Sequence, residues 1–359
     1  MGPGQSEEMA RPDFSDPFYS SVQIIYSRRR VLEMQNASFK VVSFAATFGV
    51  FTTEPKQRLE DAGCEVKIIK HSRVLTDAEK IGCARDADAV ILGVNGMSRR
   101  VINALPKLKV IARHGRGIDG IDYKAATDKG VMVVNAPGVN IEETADLTLG
   151  LILDLERHIT QMNNDLKAGI WEKRAGRSLY GKTIGIIGVG DIGLAVARRA
   201  MGFGMDILGN DIRQRPDAAK TGLMFTGLND LLKRSDIVTI HTPLTASTTN
   251  LIGAKELRMM REDAILVNTS RWGIIRKEAL EKALQSGQLM GYATDVHEQE
   301  PGPAPSFADL PNVLVTPHAG SATYETNLRM GMTVADNIIA VKDGVTPPNL
   351  VTPVSLIFG

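Results

Sequence analysis

Short apolar runs rich in Val and Ile alternate along most of this chain with stretches of helical spacing. They read FKVVSF, EPKQRLEDAG, EVKII, TDAEKIGCARD, AVILGV, SRRVINALPK, LKVIARHG, DYKAATDKG and VMVVN. A strand, a helix and a second strand in succession bring the chain back in its first direction, so the rhythm demands a parallel sheet with helices on both faces. From residue 141 to about 168 it gives way to one long helical pattern without proline, IEETADLTLGLILDLERHITQMNNDLKA, too long for a crossover between adjacent strands. A second series starts at Lys182 and runs through TIGIIG, MDILGND, DIVTIHTP, AILVNTS and GYATDV to VLVTPHAG, before a last helical run, YETNLRMGMTVADNIIAVKDG. The expected class is α/β, with two doubly wound parallel-sheet lobes joined by one continuous helix. A length of 359 residues agrees, being long for a single core. Residues 1–38 show no sustained period and read as a mobile extension.

The second series opens on the sharpest motif, GIIGVGDIGLAVARRA, which sets Gly188, Gly190 and Gly193 as GxGxxG between a strand and a helix. The first glycine permits the turn, the second lets backbone approach a pyrophosphate, and the third lets helix pack on strand. The amides of Asp191 and Ile192 would face the phosphates at the helix N-terminus. Asp211 ends the next strand, 18 positions after Gly193, where a carboxylate accepts hydrogen bonds from a ribose and repels a 2′-phosphate. NAD is therefore the expected cofactor. NADP is the minority reading, kept open by Arg213 and Arg215 in NDIRQRP.

Ligands of open α/β sheets bind at the carboxyl ends of the strands. In the second lobe those ends carry His241, Arg271, Asp295 and His318, with Glu300 just beyond Asp295. Hydride transfer to a nicotinamide needs a base for the hydroxyl proton, a cation for an anionic substrate and a group that sets the base's pKa, and these residue types supply all three. His241 alone could equally be a solvated strand end. His114, in RHGRG, is a weak rival as base. A formal net charge of +1, from 42 basic and 41 acidic side chains, gives no field for nucleic acid or an anionic membrane, so the expected partner is a small molecule. Cys64 and Cys83 sit in no CxxC or Cys/His spacing, which predicts no metal site and fits a reduced cytoplasm. No apolar run is long enough to cross a bilayer.

Several segments, in order, resemble the D-isomer-specific 2-hydroxyacid dehydrogenases: LKVIARHGRGIDGID, GIIGVGDIG with Asp211, SDIVTIHTPLT, ILVNTSRWG, GYATDVHEQEP and VTPHAGSAT. The likeness runs from about residue 39 to about 351. It implies an oxidoreductase that moves a hydride between NAD(H) and C2 of a D-2-hydroxy or 2-oxo acid, with Arg271, Glu300 and His318 catalytic. By the same resemblance, Asp295 would hold the nicotinamide carboxamide, and Thr242, Thr269, Ser270 and Gly320 would line the cofactor cleft. Val94, Asn95 and Arg113 would face the substrate beside Arg271, although Arg113 could instead be a structural ion pair. The family architecture implies a Rossmann cofactor domain at 138–319 inserted into a flavodoxin-like substrate domain made of 39–137 and 320–359, in a homodimer.

The wording is most similar to D-3-phosphoglycerate dehydrogenases, which set an arginine where this chain has Gly93. That difference keeps a glyoxylate or hydroxypyruvate reductase, or another 2-oxo-acid reductase, close behind. From a different class, an NAD(H)-sensing corepressor-like interaction protein shares the same motifs. Three further departures stand out. Asp146 replaces a usual glutamate, and Arg276 replaces the acid that opens the helix RKEALEKALQSG, which loses a favourable N-cap. Trp272 stands directly after Arg271 in place of the usual glycine and is expected to mark a substrate unlike that of the nearest relatives.

Overall fold

A computed structural model describes residues 38–94 and 96–351, so nearly all of the N-terminal extension, Asn95 and residues 352–359 lie outside the described residues. Two parallel sheets carry the fold. The first has the order β2-β1-β3-β4-β5 and is built from β1 (Phe39–Ser43), β2 (Cys64–Ile68), β3 (Ala89–Leu92), β4 (Val110–Arg113) and β5 (Met132–Val134). Every residue of β3 and β4 is buried, as expected of strands covered on both faces, whereas β2 at the edge alternates buried Cys64 with exposed Glu65 and Lys67. Polar caps start the helices between them. Thr76 and Glu79 form a reciprocal capping box before Asp77–Ala84, and Ser98 and Asp122 cap Arg99–Ala104 and Tyr123–Asp128.

The second sheet comprises β6 (Thr183–Ile187), β7 (Asp206–Asn210), β8 (Met224–Phe225), β9 (Ile237–Ile240), β10 (Ile265–Asn268), β11 (Gly291–Thr294) and β12 (Val313–Val315), in the order β12-β11-β10-β9-β6-β7-β8. Consecutive strands run outward one way from β6 to β8 and the other way from β9 to β12. The reversal between β6 and β9 is the switch point at which such sheets open a crevice. The two-residue β8 has no counterpart among the expected strands, since Met-Phe alone carries no readable period.

The long helical pattern is not one helix. It breaks at His158, whose backbone is left-handed at φ 54, into helices Ile141–Arg157 and Ile159–Lys167. Two local contacts explain the break. The carboxylate of Asp154 accepts the amide of Thr160 at 2.7 Å and also its hydroxyl, which starts a new helix in place of continuing the old one. The returning chain then pins the old helix end, because Arg177 donates from Nε and Nη2 to the buried Glu156 at 2.7 and 2.5 Å.

The chain crosses back to the first sheet after β12. Helix Tyr324–Lys342 packs on helix Glu54–Asp61 and β4, and Leu350 forms an antiparallel bridge with Val134 of β5. Arg329 ties the two crossing segments together by donating to the Val139 carbonyl at 3.0 Å and to Glu143. The helix Lys277–Gln285 begins at Arg276 with no side-chain cap, as the sequence led us to expect. Asp146 meets Arg199 Nε at 2.6 Å and so binds the crossover helix to the helix that follows the glycine turn.

Candidate active site

The glycine turn leaves β6 at the switch point, and its three glycines stand in three different settings. Gly188 has φ 91, and a Cβ there would stand 2.7 Å from the carbonyl carbon of His241 and the amide nitrogen of Thr242. At Gly193 a Cβ would stand 2.1 Å from the carbonyl oxygen of Gly188. At Gly190 it would meet nothing within 4 Å, which leaves open ground beside the N-terminus of helix Asp191–Gly202. The amides of Asp191 and Ile192 belong to the first turn, whose N–H groups a helix cannot satisfy internally.

Asp211 stands against this turn. It accepts the Val189 amide through Oδ2 at 2.7 Å and the Arg213 amide through Oδ1 at 2.9 Å. A carboxylate offers about four acceptor positions, so capacity remains for a ribose. Arg215 donates from Nη1 to Asp191 at 2.6 Å, and from Nε and Nη2 to Asp217 at 3.1 and 2.8 Å. Hydrogen bonds to these two carboxylates raise its pKa further, so of the two guanidiniums that kept NADP open, that of Arg215 is already engaged while Arg213 is exposed. Open space at Gly190, a carboxylate at the β7 end and a helix N-terminus between them fit an NAD-type dinucleotide.

The turn after β10 is organised by a residue that the motif search did not single out. Asn268 is buried, donates to the carbonyl of Arg271 at 2.9 Å and accepts the amide of Ser270 at 3.0 Å, so its side chain folds the turn that presents Arg271. Thr269 meets Thr148 of the crossover helix at 3.0 Å, and the Ser270 hydroxyl donates to the Thr242 carbonyl. Arg271 then extends toward the first sheet, where Nε donates to Asp119 at 2.7 Å.

His318 lies beyond β12 in a left-handed conformation at φ 54, uncommon for a residue with a side chain. Its neighbours hold it there. Asp295, 2% exposed, accepts the amides of Ala319 at 2.6 Å and Gly320 at 2.8 Å and the hydroxyl of Thr316 at 2.6 Å. Burial raises the pKa of Asp295, against the pull of these donors. One acceptor position remains for a ligand amide. Glu300 Oε2 meets His318 Nδ1 at 2.5 Å, and its Oε1 accepts the amide of His297 at 2.7 Å. Burial raises the Glu300 pKa, but the His318 hydrogen bond and charge and the His297 amide outweigh it and leave the carboxyl below its ordinary value.

The rival histidines do not fit a proton-transfer role. The Nδ1 of His241 is sealed from solvent although part of the residue stays accessible, its Nε2 meets Thr239 at 2.9 Å, and burial pushes its pKa down to about 3. His114 is buried against Phe48 with Nδ1 at 3.3 Å from Thr47, and burial, then the charge of Arg113, push it down to about 4. Both imidazoles stay neutral and weakly basic.

On the substrate side, Val94 is exposed and Arg113 is buried. Burial lowers the Arg113 pKa to about 10, with Arg271 lowering it further and Asp119 and Glu300 raising it. Arg113 therefore shares the electrostatic field of Arg271 and Glu300. At Gly93 a Cβ would lie 3.1 Å from the Cα of Ala45, a tight approach to the backbone that follows β1. The indole of Trp272 stacks on Phe307 at 6.1 Å and 10° and, partly buried, packs against the core that holds Leu266, Ile274 and Tyr292. Among the described residues no group of His, Cys, Asp or Glu has the geometry to hold a metal ion, and no helix is long and apolar enough to cross a membrane.

Comparison with known proteins agrees with this geometry. Residues 149–320 match the family model for the D-isomer specific 2-hydroxyacid dehydrogenase, NAD binding domain. A glyoxylate reductase of Korarchaeum cryptofilum is 44% identical over 276 residues, which cover 74% of this chain and 83% of that protein. A D-3-phosphoglycerate dehydrogenase of Methanocaldococcus jannaschii is 40% identical over 292 residues, which cover 80% of this chain and 56% of that protein. The crystal structure of D-lactate dehydrogenase from Aquifex aeolicus complexed with NAD and lactic acid superposes with a TM-score of 0.76 at 26% identity, over 88% of this chain and 99% of that one. The chain belongs to the D-isomer specific 2-hydroxyacid dehydrogenase family and is an NAD-dependent enzyme of that family.

Proposed function

We propose that the protein reduces a small 2-oxo acid of the glyoxylate or hydroxypyruvate kind, with Arg271, Glu300 and His318 as its catalytic residues. The observation that carries the mechanism is the His318–Glu300 pair at 2.5 Å, with Nδ1 committed to the carboxylate and Nε2 left for the substrate. In the reductive direction His318 gives its Nε2 proton to the C2 oxygen, and Glu300 favours the protonated imidazole. Arg271 holds the substrate carboxylate, polarises the C2 oxygen and shares the anion's charge with Arg113. By the family resemblance, backbone amides near Val94 and Asn95 serve the same anion.

Gly188, Gly190, Asp191, Ile192 and Gly193 hold the pyrophosphate, Asp211 the ribose, and Asp295 the carboxamide, with Thr242, Thr269, Ser270 and Gly320 lining the cleft. NAD(H) bound there supplies or takes up the hydride at C2. The engagement of Arg215 with Asp191 and Asp217 supports NAD over NADP.

For the substrate, the lack of an arginine at Gly93 supports an acid without a distal phosphate, and the 44% identity to a glyoxylate reductase agrees. A D-3-phosphoglycerate dehydrogenase is the second reading, favoured by the 40% identity to the Methanocaldococcus protein. We assign 39–137 with 320–359 to a substrate domain and 138–319 to the cofactor domain, on the strength of the Leu350–Val134 bridge and the packing of helix Tyr324–Lys342. Ile159, Leu166, Ile170, Trp171 and Tyr180, all exposed within residues 159–180 of the cofactor domain, support a homodimer. The two free cysteines fit the cytoplasm.

The test is a panel of glyoxylate, hydroxypyruvate, pyruvate and 3-phosphohydroxypyruvate with NADH and NADPH. Fastest turnover of glyoxylate or hydroxypyruvate with NADH is expected. Preference for the phosphorylated acid would establish the second reading, and tight NADH binding with no turnover would point to a sensing protein.

A further inference from the structure

Arg271 belongs to the second sheet, yet its guanidinium rests on a loop of the first. Nε donates to Asp119 Oδ2 at 2.7 Å, and Nη1 donates to the carbonyl of Ser270 at 2.7 Å. Gly117 lies against the fork, since a Cβ there would stand 1.9 Å from Nη2 and 2.8 Å from Asp119 Oδ2. The loop follows β4, whose last residue is the buried Arg113. Arg113 and Arg271 repel each other, and Asp119 offsets that repulsion. Neither neighbour of Arg271 on this loop figures in the family's catalytic set as the sequence resemblance implies it.

A guanidinium offers five N–H donors in a rigid plane. A carboxylate can meet it along the Nε and Nη2 edge or across the two Nη tips. Asp119 occupies the first edge at Nε, and Ser270 takes one hydrogen of Nη1, so the tips are what remain for a ligand. We infer that Asp119 is a positioning residue, which selects through Nε the edge of Arg271 that meets the substrate carboxylate, and that Gly117 is kept bare so that the fork can lie against the loop. The inference rests on the reading of Arg271 as carboxylate receptor. It adds that the receptor is aimed from the opposite sheet, so Arg271 presents its tips only when the two sheets stand close.

The test is a double-mutant cycle on the full chain. It reads kcat/KM for glyoxylate with NADH, the Kd of oxamate for the NADH complex and the Kd of NADH. Asp119→Ala should lower kcat/KM and weaken oxamate by about 10- to 100-fold, the range expected when a reacting group is misplaced by about 1 Å, with NADH affinity unchanged. Asp119→Asn, which keeps an acceptor oxygen, should stay within a few-fold of wild type. In an Arg271→Lys background Asp119→Ala should change oxamate binding less than about two-fold, because an ammonium has no fork to aim. Gly117→Ala, which alters no charge, should reproduce the loss in the wild-type background. Equal losses in both backgrounds would show that Asp119 only supports its loop, and an active Asp119→Ala enzyme would likewise overturn the inference. Full activity of Arg271→Ala would overturn the receptor reading itself, and that result needs no change at Asp119.

Discussion

Lowering the pH from 7 to 5 should destabilise the cofactor-free protein through two imidazoles. His241 just past β9 and His114 just past β4 are held neutral, with pKa values pushed down to about 3 and to about 4. In the unfolded chain each titrates near about 6.5. Between the unfolded and folded values the unfolded state binds more protons than the native one, so stability is fully present above about pH 6.5 and falls as the pH falls toward the folded values. Each pH unit in that window is worth about 1.4 kcal/mol per imidazole. At pH 5 each histidine therefore loses about 2 kcal/mol and the pair about 4 kcal/mol, a large part of the roughly 5–15 kcal/mol of a typical native state. The assay is urea unfolding of wild type, His241→Gln and His114→Gln at intervals from pH 7 to 5. Glutamine does not titrate, so each variant should lose about half of the pH dependence. If both keep the wild-type slope, the acid sensitivity lies elsewhere and the reasoning from burial fails.

Three further outcomes are expected. Trp272→Ala should lower stability by about 2 kcal/mol in urea unfolding, less than for a fully buried indole, and leave the ranking of 2-oxo acids unchanged; an altered ranking would show that the indole reaches the substrate. Gly193→Ala should weaken NADH by at least about ten-fold in a fluorescence titration, because a Cβ at 2.1 Å from the Gly188 carbonyl forces the helix away from the turn, and unchanged affinity would contradict the close approach. Glu300→Gln should lower kcat by about 10²-fold and move the alkaline limb of the kcat profile for 2-oxo acid reduction to lower pH, since a neutral amide no longer favours the protonated imidazole. An unmoved limb would separate Glu300 from the base.

Much of this was legible in the sequence because period and position carry it. The buried strands announce themselves as Val and Ile runs, and parallel sheets force their carboxyl ends onto one edge, so His318, Glu300 and Arg271 could be grouped before any coordinates. The glycine turn was equally readable, since backbone approach at Gly188 and Gly193 admits no side chain. What the sequence did not disclose depends on contacts between residues far apart along the chain. His158 breaks a helix only because Asp154 captures Thr160 and Arg177 returns to Glu156. Trp272 reads as a substrate marker from its place beside Arg271, and its stacking on Phe307, 35 positions later, could not be read from that neighbour. Asn268 was visible as the first letter of a motif, but its work inside the turn became apparent only with its partners, Ser270 and Arg271.

The last helix also governs the order in which the molecule can be built. Val334, Ala335, Ile338 and Val341 share one core with Val41, Ala89, Val110 and Val134 of the first sheet. Val134 leaves the ribosome 200 residues ahead of Val334. At 5–20 residues per second that delay lasts about 10 to 40 s. Throughout it, much of one face of the first sheet lacks its own cover while all the strands of the second sheet are translated. The earlier half of the nascent chain is therefore the last to be sealed, and an apolar surface stands open to chaperones or to other nascent chains until the helix arrives.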